Sequence, residues 1–334
     1  MSKTLPSPQS LIDLQELFQR ESDCVAYLTG LRWPEGFECP ECGYPKAAYN
    51  EARRMLQCSN CRTQTYLTAG SILEKTHLPL KTWFYAAYIV TTLTPGISAV
   101  QLQHQLGLKR YETAFQILHK LRSAMANPDR EPLHGEVEVD ETFIGGDVAK
   151  EHGGRSPEGK MIVVGAVERR FDKVSKRAGR PFYAGRVRMR VIPDTTADTL
   201  TKFVKDHIEE ESIVITDGWG GYNRLAARGY QHEPIVEGAP KRGSAILPLI
   251  HLEFSNLKTW LQGTHHGRVE EQHLQAYLNE FCFRHNRRFW RFTAFQTILR
   301  YGMKTGPQTY ETLYSADAQG QQIHLGGYRE ESEG

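Results

Sequence analysis

Four cysteines constrain this chain more than any other feature: Cys39 and Cys42 in "CPEC", then Cys58 and Cys61 in "CSNC", in the order C-x2-C-x15-C-x2-C. Each C-x2-C turn can aim two thiolates at one ion, so the spacing reads as a tetrahedral Zn2+ site. Sulfur ligands at all four positions leave no open coordination site, which makes such a zinc structural. Gly43 and the polar Ser59-Asn60 turn suit the knuckles of a zinc ribbon at about 36–70, with Trp33, Phe37, Tyr66 and Leu67 expected over its small core. Disulfides are the alternative, and a reducing compartment opposes them. Cys24 and Cys282 lie in helical patterns and read as buried thiols.

That compartment follows from the rest of the chain. The start, "MSKTLPSPQSLIDLQELFQRESD", lacks an apolar signal core, and no run of 18 apolar residues occurs. A cytoplasmic protein with no membrane partner is expected. Its 334 residues, 40% hydrophobic, suffice for two or three domains. The net charge of +2 hides an uneven distribution, since 169–190 holds nine Lys or Arg against the single acid Asp172. Such a stretch is either the footprint of a polyanionic partner or a solvated basic hairpin.

The pattern divides the chain into five parts. Residues 1–35 form a short helical segment, followed by the ribbon at 36–70. A helix-turn-helix-like DNA-binding region spans 77–128: after the helix of "PLKTWFYAAYIVTTL", the helices "SAVQLQHQL" and "YETAFQILHKLRSAM" flank the turn "GLKRY". Lys109 and Arg110 open the second helix, where phosphates or base edges are met. Any antiparallel helical pair has a similar pattern. From 130 to 300 the strand-like runs "EVEVDETFIGG", "MIVVGAVERR", "RVRMRVI" and "SIVITD" alternate with helices, which predicts an α/β layer with a mixed sheet. A polar tail occupies 301–334.

Two acids stand out by position. Asp140 is expected to end the strand "EVEVD", and Asp217 ends "SIVITD" just before "GWGGY". Acids beyond the carboxyl ends of neighbouring strands converge above a sheet. Gathered carboxylates bind hard cations such as Mg2+, and a pair of such ions supports phosphodiester chemistry. Taken singly, either Asp reads more simply as a turn or helix-capping acid, and it is the pair that points to a cation site.

The motifs "CPEC…CSNC", "GEVEVDETFIGG", "VITDGWGGY", "HLEFSNLKTWLQGTHHG" and "HLQAYLNEFCFRHNRR" occur in this order over about 20–295. In this they resemble bacterial insertion-sequence transposases that join an N-terminal zinc ribbon to a DDE-type catalytic domain. The resemblance implies an RNase H-like α/β fold, two catalytic Mg2+ or Mn2+ ions, and hydrolytic nicking and strand transfer at terminal inverted repeats. Asp140 and Asp217 match the first two catalytic acids.

In typical members a Glu completes the site, with a basic residue seven positions later. Lys258 fits the basic position, and seven residues before it stands His251. Seven helical residues return to within about 20° of the starting direction, so His251 and Lys258 share a face, whereas Glu253 points about 140° away from Lys258. Some similar transposases carry Asn or His in place of the Glu. Glu253 has the more usual chemistry for Mg2+ and follows Asp217 by 36 positions, a familiar separation among such enzymes. Imidazole suits Mn2+ better, or acts as acid, base or phosphate contact. Spacing thus favours His251, and metal chemistry keeps Glu253 as the alternative. Asn256 reads as a supporting or DNA-contacting amide. Arg287 and Arg288, in "RHNRRFWRF", suit phosphate contact or a solvated helix end.

The expected function is a transposase acting on double-stranded DNA, both inverted repeats and target, and at least a homodimer when assembled on two ends. The alternatives are a DNA-binding protein of transposase descent that has lost catalysis, and a related nuclease without joining activity.

Overall fold

Spacing of apolar residues, capping and turn glycines account for most element boundaries in the computed structural model. It describes residues 5–51, 53–126, 130–145, 160–171, 181–235, 247–267, 269–309 and 312–313. The chain divides into two units, one of residues 1–128 and 287–334, the other of 129–286.

The first unit opens with α1 (Leu11–Leu17), capped by Ser10, and α2 (Glu21–Arg32). Three short antiparallel strands, β1 (Ala47–Asn50), β2 (Met55–Cys58) and β3 (Gln64–Tyr66), form the ribbon. Leu67 is buried as expected, but Tyr66 is exposed, because both ends of β3 face outward. Next come α3 (Leu80–Thr92), α4 (Ala99–Gln105) and α5 (Tyr111–Met125). Pro79 gives α3 no capping side chain, and the Glu21 carboxylate accepts from the Leu80 and Lys81 amides at 2.7 and 3.2 Å instead. Ser98 and Gln101 close a reciprocal cap on α4, and Gly107, at φ +61°, makes the turn into α5.

The second unit holds β4 (Glu136–Ile144), β5 (Met161–Arg170), β6 (Tyr183–Ile192), α6 (Ala197–His207), β7 (Ile213–Asp217), β8 (Gln231–Ile235), α7 (Pro248–His265) and α8 (Glu271–Asn286). Its sheet runs β6-β5-β4-β7-β8. β4, β5 and β6 pair antiparallel, while β7 and β8 are parallel to β4 and to each other. Helices cover both faces, the arrangement expected of an RNase H-like domain. On one face Leu200, Phe203 and Val204 of α6 pack on Val137, Val139, Val164 and Val214. On the other, Ile250, Phe254, Leu257, Leu274 and Leu278 cover Val163, Val187, Met189 and Ile215. Each such buried side chain contributes about 1.5–3 kcal/mol relative to an exposed one.

Two features depart from the sequence expectation. β4 does not stop at Asp140 but runs four residues further, to Ile144, because β5 pairs with it along its whole length. β8, "QHEPI", carries Pro234 and exposed polar groups, and it exists only by pairing with β7.

The outer edge of β6 is closed by side chains of α8. Asn286 accepts from the Val187 amide at 2.7 Å and donates to its carbonyl, and Gln275 does the same for Val191 and Met189. The chain then returns to the first unit with α9 (Arg291–Lys304), which the sequence reading counted largely with the α/β layer. Phe295 explains its place: its ring lies 5.8 Å from Phe84 and 5.9 Å from Phe18, whose rings meet at 4.7 Å.

Candidate active site

β4 alternates cleanly, with Val137, Val139 and Glu141 turned toward the α6 face and Glu138 and Asp140 toward α7. The parallel register pairs Glu136 with Ile213, Val137 with Val214 and Glu138 with Ile215. Asp140 and Asp217 each lie two residues beyond the last of these pairs, on the same face of adjacent strands. The Asp217 carboxylate accepts from the Trp219 amide at 3.0 Å.

α7 crosses this face, and His251 Nε2 lies 2.9 Å from Asp140 Oδ2. Hydrogen bonding to Asp140 raises the imidazole above its usual range, with burial opposing. Lys258 is exposed two turns further along α7, and His251 is exposed as well, so both belong to the helix's outer stripe. Glu253 lies on the buried stripe instead. Its carboxylate is 3.0 Å from His285 Nδ1 of α8, and Asn256 Nδ2 donates to it at 3.4 Å. Asn256 is itself exposed.

Two residues that the sequence reading passed over bring His251 to Asp140. Gly165 stands opposite Asp140 in the β4–β5 register, and a Cβ there would lie 2.7 Å from Phe254 and 2.9 Å from Ile250. The absent side chain lets α7 settle onto β5 one turn from His251. A lone glycine inside an apolar strand is a sequence signal for such an approach. Glu138, fully buried, accepts from the Leu249 and Ile250 amides at 2.8 and 3.0 Å. It thereby caps a helix whose own N-cap, Leu247, offers no polar side chain. Arg169 Nε completes its bonding at 2.9 Å.

On the opposite face Glu141 accepts a hydrogen bond from the Tyr222 hydroxyl, tying β4 to the turn after Asp217. Burial pushes the Glu141 carboxyl up to about 7 against that bond, and the charges of Asp140 and Asp217 add to the rise. The "GWGGY" aromatics therefore separate: Tyr222 is fully buried, while Trp219 is 53% exposed beside Asp217.

Among the described residues, the cations of the basic 169–190 stretch are engaged within the protein. Arg169 pairs with Glu136 and Glu138, Arg170 and Arg186 with buried Glu168, and Arg190 with Asp206. Arg188 is buried and donates to backbone carbonyls. The stretch's other cations, Lys173, Lys176, Arg177 and Arg180, lie outside the described residues.

In the first unit the four cysteine sulfurs lie within 4.8 Å of one another. Cys39 and Cys61 approach to 3.5 Å, Cys42 and Cys58 to 3.7 Å. An ion about 2.3 Å from each of four tetrahedral sulfurs spaces them by about 3.8 Å, so the set fits Zn2+. Hydrogen bonding with Thr63 draws the Cys61 thiol down to about 6, toward the thiolate that binds metal. Lys109 and Arg110 are exposed just before α5, whose exposed positions are confined to its first turn. Arg287 is half-buried, with Nη2 3.2 Å from the Tyr301 hydroxyl, and Arg288 lies 4.5 Å over the Phe289 ring. No helix among the described residues is long and apolar enough to cross a membrane.

Comparison with known proteins matches one family model within each unit. Residues 132–286 match the ISXO2-like transposase domain, and residues 19–64 match the transposase zinc-ribbon domain. An uncharacterized protein in transposable element ISH50 of Halobacterium salinarum is 26% identical over 278 residues, covering 80% of this chain and 91% of that one.

Proposed function

Because the chain belongs to the insertion-sequence transposases that join a zinc ribbon to an ISXO2-like transposase domain, we propose that it cuts and joins DNA at the ends of its own element. The observation that carries this reading is the setting of Asp140 and Asp217 on adjacent parallel strands, with His251 bonded to the first. Paired carboxylates on one face are the donor set a hard divalent cation selects, and an imidazole tolerates Mn2+. Asp140, Asp217 and His251 would hold such ions, whose chemistry when bound is to polarise a phosphate and activate the attacking hydroxyl.

The chain's own groups do the rest. Glu138 and Gly165 fix α7 against the sheet, so that His251 and the acids meet in one place. Lys258, on the same outer stripe as His251, holds a backbone phosphate beside the site. Glu253 keeps α7 on α8 through His285, outside the reaction. The ribbon and the first turn of α5, with Lys109 and Arg110, contact the terminal inverted repeat. Joining requires two ends in one complex, so the active assembly is at least a dimer on DNA.

The test incubates purified protein with labelled terminal-repeat DNA, a supercoiled target plasmid, and Mg2+ or Mn2+. Joined product is expected, abolished by Asp140→Ala or Asp217→Ala. Binding without cleavage would assign the chain to a non-catalytic DNA-binding role, and cleavage without joining to a nuclease.

A further inference from the structure

The turn between α8 and α9 exposes aromatic surface that neither the zinc ribbon nor the catalytic face explains. Phe289 is 64% exposed and Trp290 65% exposed, more than any other aromatic ring among the described residues. Their centroids lie 6.0 Å apart with the ring planes at 86°. Two rings set at right angles form a corner, in which one flat molecule can lie on one ring and meet the other edge-on. The Arg288 guanidinium covers Phe289 at 4.5 Å, which leaves Trp290 as the ring with room for a stacked guest.

Charge decides what kind of guest fits. Residues 287–310 hold Arg287, Arg288, Arg291, Arg300 and Lys304 and no Asp or Glu. Arg291 is exposed immediately after Trp290. A cationic turn with a bare indole fits a flat, π-faced group attached to a polyanion. Duplex DNA hides its base faces in the stack, and its backbone asks only for cations. We infer that the Phe289–Trp290 corner is a seat for an unpaired DNA base, with Arg288 and Arg291 holding the flanking phosphates. The inference rests on the reading that the chain acts on DNA, and it adds a contact that duplex recognition by the ribbon and α5 does not supply.

The full-length protein is titrated, by fluorescence anisotropy, with two probes of the same generic sequence: a blunt duplex, and a duplex ending in a fork of three unpaired nucleotides. Stacking of one base is worth about fivefold to a hundredfold in affinity. The fork is therefore expected to bind at least about fivefold tighter than the blunt duplex. Phe289→Ala/Trp290→Ala should reduce fork binding to the blunt value and leave blunt binding unchanged, whereas Trp290→Phe should retain most of the preference. Both substituted residues are exposed, and unchanged thermal melting confirms the fold. Equal binding of the two probes by the unsubstituted protein overturns the inference, as does a preference that survives the double substitution. A change from dimer to monomer in the double variant, read by light scattering, would assign the corner to a second copy of the chain and also overturn it. Failure to bind either probe would instead strike at the DNA reading itself.

Discussion

Glu253 of α7 faces His285 of α8 at 3.0 Å, and His285 Nε2 in turn meets the Gly185 carbonyl at 3.2 Å. Oxygen atoms thus flank both ring nitrogens and fix the orientation of the imidazole. Glu253 therefore fastens α7 to α8 and β6, while His251, two residues earlier, is the side chain that reaches Asp140.

Substitution should separate these roles. Glu253→Ala strands His285 in the core and should cost about 3 kcal/mol of stability, read as a lower melting temperature. His251→Ala, at an exposed position, should change stability by less than about 0.5 kcal/mol yet abolish cleavage of labelled ends. A stable Glu253→Gln protein that is inactive, beside an active His251→Ala protein, would reverse the assignment.

Gly165→Ala tests the seating of α7. A methyl group 2.7 Å from Phe254 must lift the helix. Misplacement by about 1 Å costs about a hundredfold in rate, so turnover should fall by that order while affinity for terminal DNA stays unchanged. Rate and affinity measured on the same preparation give the answer, and a parallel loss of affinity would point to general unfolding.

The Glu168–Arg186 pair predicts a pH signature. Burial raises the Glu168 carboxyl, but hydrogen bonds and charge from Arg186 outweigh it, and the folded value lies below the usual glutamate range. A depressed carboxyl contributes stability that is full above its unfolded value, about 4.3, and is lost as pH falls through the folded value. Arg186→Gln should therefore destabilise the protein by about 3 kcal/mol at neutral pH. The gap should narrow below about pH 4. Urea midpoints measured from pH 3 to 8 would show it; a gap independent of pH would rule the pair out as its source.

Zinc removal should act locally. Metal analysis is expected to find one zinc per chain, lost in Cys58→Ser. Hydrogen exchange in that variant should rise across the ribbon strands, which bury little beyond Met55, Leu56 and Cys58, while protection of β4 to β7 is retained. Exchange rising equally in both regions would contradict a purely local staple.

Much of this was legible in the sequence because it rests on local rules. The cysteine spacing, the alternation in "EVEVD", the apolar run before Asp217 and the seven-residue step from His251 to Lys258 need no knowledge of the fold. What escaped depends on distant partners. Glu138 gains its helix-capping contacts only when α7 brings amides to it, and the Glu253–His285 contact forms only when α8 packs on α7. Arg169 and Arg186 belong to a basic stretch that reads equally as a DNA-facing or a solvated surface, but the buried Glu138 and Glu168 on neighbouring strands engage them. α9 carries an ordinary amphipathic pattern that cannot say which core it joins, and Phe295 answers that only in three dimensions.

A free sheet edge is an adhesive surface, inviting any extended strand to add to the ladder. In β6 that adhesive is already spent, since Gln275 and Asn286 occupy the Val187, Met189 and Val191 backbone groups from the side. A second copy cannot extend the sheet there without peeling away α8, and with it the His285 anchor of α7. The same seam that shields β6 from another strand thus also guards the geometry around Asp140, and assembly on DNA has to use surfaces other than this edge.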